Sequence, residues 1–473
     1  MTAKKKASAK KVEPENNLPV WLGKLPYALI ILGMLLGVIG LAVDKTHFTH
    51  AWLVSFMFYL SICLGGFFLV LLHYLLDTHW IVPIRRIAEH LSCMLPLLAV
   101  FFIPIAFWSG CEFVTVSSDA KNHEHKQVAK AKEAEENAAA AHGERVDDKG
   151  SDAHEHEQDH QNGPRAFYSW MQSEDEYKTT GHTHDHAWYA KKGYLSTSFW
   201  NIRWVLCFVL WGVFTWLIRK HSLAQDSDGA SKWTSYNRKL AAGGIFVFAT
   251  TLTIGAVDWM KGLEHQWFST MYGVYYFAGS VWVSLMTIYV IALFLKTYGP
   301  LKDVVQKKTF KDNATLFFAF TVFYAYIHFS QYFLIWNASI PEETFWYVKR
   351  EQGPWWNVGM LIIFGHFFVP FLALLRQDVK VRPEIMITVA VLAWFLHFCD
   401  MSYNIMPLIH ETGGWMSLIW IDLGCLAFMG GCLSVVFIHF FKKHPPYPQK
   451  DPRIAETMGV YVELNSEGKA AGK

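Results

Sequence analysis

Trp188-Tyr189-Ala190-Lys191-Lys192, followed by Trp200-Asn201-Ile202, returns later in the chain as Trp346-Tyr347-Val348-Lys349-Arg350 followed by Trp356-Asn357-Val358. The two parts of the phrase recur at offsets of 158 and 156 residues, in the same order. Each copy leads into a long apolar segment, and each is followed by an Asp embedded in apolar sequence, Asp258 in the first and Asp400 in the second. Self-similarity at so long a period constrains the architecture before any helix is assigned, and the chain reads as a duplicated membrane unit.

The surrounding composition agrees. Of 473 residues, 52% are hydrophobic and 17% charged, a balance that excludes an ordinary soluble protein. Ten stretches are long enough to cross about 30 Å of hydrocarbon as helices: 25–43, 51–76, 88–112, 198–218, 239–258, 268–296, 313–336, 355–375, 384–406 and 415–440. No alternating barrel pattern occurs, and backbone groups in lipid must then be satisfied within helices. The expected fold is all-α and integral to the membrane. Spans two to five and six to nine would form two four-helix bundles. Each unit holds an even number of spans, so the copies would point the same way as parallel repeats, with the first and tenth spans peripheral. Small residues such as Gly65, Gly66, Gly255, Gly279, Gly430 and Gly431 should allow close helix approach.

Net charge is only +2, yet its distribution is informative. Lys4, Lys5, Lys6, Lys10 and Lys11 precede the first span, and further basic residues fill every second connection up to Lys442 and Lys443. The intervening short loops hold only Lys45, Lys261, Lys349 and Arg350. Basic loops stay cytoplasmic, so both termini are expected there. The parts are then a basic tail (1–20), a peripheral first span (21–50), spans two and three (51–116) and a periplasmic insertion (117–197). Spans four and five (198–258), the second bundle (259–412), a peripheral tenth span (413–441) and a cytoplasmic tail (442–473) complete the chain.

The insertion carries nine histidines, among them His182, His184 and His186, which could gather zinc, nickel or copper; an incidentally metal-binding solvated loop is the plainer account. Seven cysteines, at 63, 93, 111, 207, 399, 425 and 432, form no C-x-x-C or iron–sulfur run and read as small core residues.

Ionisable groups inside spans are costly and mark function by default. His397, Asp400 and Asn404 fall at i, i+3 and i+7 on one helical stripe. Asp258, Lys261 and His265 repeat that spacing, and Tyr324, His328 and Gln331 share a face. His366 stands mid-span in the eighth segment and Asp422 in the tenth, with His73, Glu89 and His90 as a smaller inner group. Imidazole titrates near neutrality and a buried carboxyl favours its protonated form, so such sets can exchange protons with a quinol as its electrons depart. The same stripes could serve only as hydrogen-bond networks between helices. His366 follows Gly365, and with His328 or His397 opposite it offers one conceivable b-type haem pair, short of a motif. A metal-cation transporter using His397-x-x-Asp400 is a second reading, and a purely structural membrane scaffold a third.

The run Asp258 to Ser280, D-W-M-K-G-L-E-H-Q-W-F-S-T-M-Y-G-V-Y-Y-F-A-G-S, closely resembles the ActF subunit family of alternative complex III. That complex is a bacterial quinol:cytochrome c, or quinol:high-potential-protein, oxidoreductase. More distantly the run resembles the NrfD and PsrC family of membrane quinone subunits. The resemblance, over about residues 20–445, implies a subunit without covalently bound cofactors, with quinone or menaquinone as the possible ligand. It implies iron–sulfur, pentahaem cytochrome c and monohaem cytochrome c subunits as partners, with small membrane anchors and a sister membrane subunit called ActC. No nucleic-acid partner is expected. The principal quinol site would lie in the sister, leaving Asp258, His328, His366, His397, Asp400, Asn404 and Asp422 for proton transfer or a second quinone pocket. The expected location is the bacterial inner membrane.

Overall fold

The computed structural model describes residues 19–109, 167–171, 186–351, 353–410 and 415–457. Expectations for His182 and His184, for the side chain of His186, for most of the insertion and for both outer tails lie outside the described residues. The described residues are helical, with no strand among them, and ten helical segments are long and apolar enough to cross a membrane. We number the helices α1 (Val20–Val43), α2 (Lys45–Leu76), α3 (Arg85–Ser92), α4 (Leu95–Ser109), α5 (His186–Lys191), α6 (Thr197–Asp228), α7 (Lys232–Trp259) and α8 (Tyr272–Tyr298). The remainder are α9 (Lys307–Ala338), α10 (Pro341–Glu351), α11 (Pro354–Ile362), α12 (Val369–Leu374), α13 (Pro383–Ile405), α14 (Trp415–Lys443) and α15 (Ile454–Thr457).

Several boundaries move from the hydropathy reading for local reasons. α6 runs ten residues past the expected end because its stops are chemical. Ser196 accepts from the Phe199 amide at the start, and Gly229 at φ 72° closes the other end, where a side chain would be strained. The third span is two helices, since Pro96 has no N–H for the Ser92 carbonyl. The eighth is interrupted by a π-helical turn, Ile363–Phe368, directly before Pro370. In that turn the Val369 amide reaches back five residues to Phe364.

α2 and α8 form the centre: 89% and 72% of their apolar windows are buried, against 17% for α1. α2 touches α3, α4, α7, α8, α13 and α14, and α8 touches α7, α9 and α13. α6 packs against α4 and α7, while α9 meets α12 and α11 meets α13. α1 lies chiefly along α14. The closest crossings use glycine. A Cβ on Gly65 would stand 2.3 Å from the Ser280 carbonyl oxygen, and one on Gly431 would stand 2.7 Å from the Pro26 oxygen. Elsewhere the core is aromatic, with Trp200, Trp211, Trp259, Trp267, Trp282 and Trp355 fully buried.

Candidate functional site

Asp400 is placed by the last two turns of α13, opposite α8 and α9. Tyr275 Oη on α8 donates to Asp400 Oδ1. Tyr324 Oη on α9 donates to Tyr275 Oη at 3.3 Å, and His328 Nδ1, one turn further, stands 3.5 Å from Tyr324 Oη. Asn404 Nδ2 also donates to Tyr275 Oη at 3.0 Å, and Tyr272 Oη donates to Asn404 Oδ1 at 3.0 Å. The i, i+4 pair Asp400 and Asn404 is therefore joined through one phenol, while Tyr324 and His328 carry the chain outward. A carboxyl, two phenols and an imidazole in sequence are groups that can each give or take a proton.

That chain opens on a cavity of about 590 Å³ between α9 and the α11–α12 pair. Its polar lining includes Tyr324, Tyr326, His328, Tyr332, His366, Tyr347, Arg350, Glu351 and Tyr403, and the rest is mostly apolar or aromatic. On its rim Tyr326, Phe329, Ile363 and Phe368 are exposed, as lipid-facing side chains would be. His366 enters through the π turn. Its ring lies between Trp282 and Tyr324, at centroid distances of 3.6 and 3.8 Å, and neither ring nitrogen has a partner among the described residues. Burial holds the Tyr347 phenol well above its usual pKa, so it stays a neutral hydroxyl.

Arg350 anchors the polar end. It is fully buried, 3.6 Å over the Trp346 ring, and donates to the Tyr403 and Asn404 carbonyls at 3.0 Å. Its remaining charge is met by Glu264 at 3.0 Å. The same guanidinium thus fixes α10, α13 and the turn after α7. In the earlier phrase Lys192 stands 4.9 Å over Trp188, so a cation rests on the first Trp in both places. The second Trp is used differently: Trp200 is buried, whereas Trp356 is 46% exposed and Trp355 takes the buried position.

The other candidates belong to separate centres. Asp258, near the end of α7, accepts from Tyr194 Oη at 2.7 Å and from Arg203 Nε at 2.5 Å. His397 Nε2 pairs with Ser61 Oγ at 2.7 Å. Of the three imidazoles considered for haem, His328 and His366 both meet Tyr324, while His397 is held by Ser61. Asp422 meets His47 Nε2 at 3.0 Å, and His47 Nδ1 meets His410 Nε2 at 2.9 Å. Burial, and then His47, push the His410 pKa down to about 4. At the far end of α2 lies the inner group. Arg85 Nη1 meets His73 Nε2 at 2.9 Å, and Arg85 and Arg86 both bind Glu89. Asp451, past the end of α14, also binds Arg85.

Arg203, Tyr194, Tyr275, His47 and His410 escaped the sequence reading. Arg203 was the detectable one, an unpaired arginine inside a span that demanded a carboxylate partner. Tyrosines and distant histidines carry no such signal. No family model and no curated protein matches the chain. Groups of three or more metal-ligating side chains suited to an ion do not occur among the described residues.

Proposed function

We propose that this chain is a membrane subunit of a bacterial respiratory quinol oxidoreductase, akin to the ActF family, and that the α9–α11–α12 cavity receives a quinone head group. One observation carries the reading: an apolar, aromatic-lined cavity with exposed rim residues ends on His328 and Tyr324, with Tyr275 and Asp400 directly behind. Pockets for small apolar ligands have this make-up, a greasy wall with a few convergent polar groups. A quinol oxygen at His328 or Tyr324 could pass its proton inward along Tyr275 to Asp400, while electrons leave to redox partners. Arg350 sits beside the head group but is matched by Glu264 and carbonyls, so it positions the site and leaves quinol protonation to the imidazole and phenols.

The wider reading follows the same line. The cytoplasmic side is the end with the basic connections, and the chain lies in the inner membrane with both termini inside. α2, α4, α6 and α7 would be one four-helix unit, α8, α9, α11–α12 and α13 its parallel copy, and α1 with α14 an added pair. Iron–sulfur and cytochrome c subunits, small anchors and an ActC-like sister are the proposed partners.

The test is photolabelling with an azido-quinone in membranes containing the complete complex. Label is expected on peptides spanning 322–332 or 356–368, and His328→Leu should reduce it several-fold. Label confined to other subunits would remove the quinone reading from this chain. Metal uptake by vesicles holding only this chain would favour the transporter instead.

A further inference from the structure

Where α8 ends and α9 begins, the fold gathers lysines. Lys296 lies in the last turn of α8, and Lys307, Lys308 and Lys311 lie exposed in the first turns of α9. The short turn Val379–Val381 packs against α9 and brings in Lys380. Lys380 is only 2% exposed, and its ammonium meets neutral groups, Thr315 Oγ1 at 3.4 Å and the Phe318 ring at 5.0 Å. Lys296 Nζ likewise donates to the Val305 carbonyl at 2.7 Å, beside the Phe310 ring. No carboxylate among the described residues answers either ammonium: the charge that bears on Lys296 is that of Lys307, and the one that bears on Lys380 is that of Lys311. Asp312 acts on Lys308 and Lys311, and Asp378 is taken by Arg376 and Arg382 at 3.0 and 3.1 Å. With those two, Asp303 and Glu384 all counted, residues 296–312 and 376–384 hold eight cationic side chains against four carboxylates. Arg85, Arg86 and Arg453, by contrast, each sit in an ion pair. The lysine cluster thus carries more charge than the chain around it neutralises, and like charges held together favour an anion beside them.

The depth of the cluster says which anion. Lys296 and Lys307 stand at the adjoining ends of two membrane-length helices, where head groups meet hydrocarbon. Lys380 rests on Phe318, and Phe318 stacks on Phe371 of α12 at 5.4 Å. The side chains that follow, Leu372 and Leu375, are exposed as lipid-facing groups would be, and so is Tyr298 at the end of α8. Cations bordering an exposed apolar surface match a molecule with a negative head and a hydrocarbon tail. We propose that Lys296, Lys307 and Lys311 bind the phosphate of an anionic phospholipid at this end of the molecule, with the buried Lys380 adding its charge from behind. The assignment is independent of the quinone reading.

The experiment is native mass spectrometry of the intact chain, stripped of lipid in detergent and titrated with phosphatidylglycerol, phosphatidylcholine and inorganic phosphate. Phosphatidylglycerol should bind about fivefold more tightly than phosphatidylcholine, whose choline adds a positive charge. Lys311→Gln should weaken phosphatidylglycerol about fivefold, and Lys307→Gln with Lys311→Gln about twenty-five-fold, as expected for one and two lysines at a head group. Lys311→Arg should keep the affinity. Lys232→Gln, which removes an exposed lysine 3.9 Å from Asp228, should change nothing. Lysine-dependent binding of inorganic phosphate without binding of phosphatidylglycerol would reassign the cluster to the free ion and overturn the lipid. Equal binding of the two lipids, or an unchanged phosphatidylglycerol affinity in the double variant with wild-type melting, would overturn the proposal.

Discussion

Arg350 shows how a single residue can decide a site. Its guanidinium is buried, spends its donors on three carbonyls and Glu264, and lies flat on Trp346. Only a planar fork fits both roles, so lysine is no substitute. Arg350→Ala would strand Glu264 with the more distant Lys349, at 3.7 Å, as its nearest cation. Losing one partner of a buried pair costs about 3–5 kcal/mol, and a melting curve of the purified chain should shift down accordingly. Asp400→Asn keeps size, most packing and an oxygen that can accept from Tyr275, while removing the carboxyl that can take up and release a proton. On the proposed function, assembly with partners should be unaffected and quinol turnover should fall by about a hundredfold, within the usual range for losing a proton-transfer group. Unchanged turnover would leave Asp400 a structural group.

At the scale of elements, the π turn before Pro370 is the feature with a consequence. Proline cannot donate to the carbonyl four residues back and its ring crowds that oxygen, which here belongs to His366. One residue is therefore accommodated in a wider turn, and the turn directs His366 between Trp282 and Tyr324. Pro370→Ala should let the segment relax to α-helical hydrogen bonding and rotate His366 out of the stack. On the proposed quinone reading, the expected result is a rise of about tenfold in the KM for quinol with melting changed by only a few degrees. A variant structure in which the Val369 amide still bonds Phe364 would refute the explanation. The α2–α8 crossing is the other decisive element: Gly65 meets Ser280 backbone with no room for a side chain.

Over the whole molecule, each end is closed by contacts between distant parts of the chain, and one end adds an acid-resistant carboxylate to the histidine response that both share. At one end His410 is kept neutral, its pKa lowered to about 4 by burial and by His47. A folded value below the unfolded one means stability that is full above about 6.5 and lost as pH falls from there towards 4. At the other end the segment after α14 binds Arg85, Asp226 and Asp77 through Asp451, Gln449 and Arg453. Burial disfavours the Asp451 charge, but Arg453 and Arg85 outweigh it and hold its pKa well below the usual range. That contribution is present above about 3.9 and fades only below it. Melting temperature should therefore fall between pH 6.5 and 4 while Arg453 stays protected from protease, with exposure of the C-terminal segment appearing below about pH 4. His444 at the second end, its pKa lowered to about 4 by burial and then by Arg219, titrates in the same window, so His410→Gln should reduce the first phase without abolishing it and leave the second. Early release of the C-terminal segment would contradict the assignment.

Hydropathy and length were enough to place ten spans, because a bilayer imposes both on any helix that crosses it. Charge inside a span was enough to flag Asp258, Asp400, Asp422, His328 and His366, since such groups are expensive wherever they point. Helical spacing also joined Asp400 to Asn404 and Tyr324 to His328, neighbours along one helix face. What the sequence could not contain was partnership across long separations. Asp422 finds His47 across 375 residues, His397 finds Ser61 across 336, and Asp258 finds Arg203 in a neighbouring helix. These pairings depend on which helices touch, and at what rotation. That is settled by close packing at crossings such as Gly65 on Ser280 and by the wide turn before Pro370, where the sum of many small contacts outweighs any local preference.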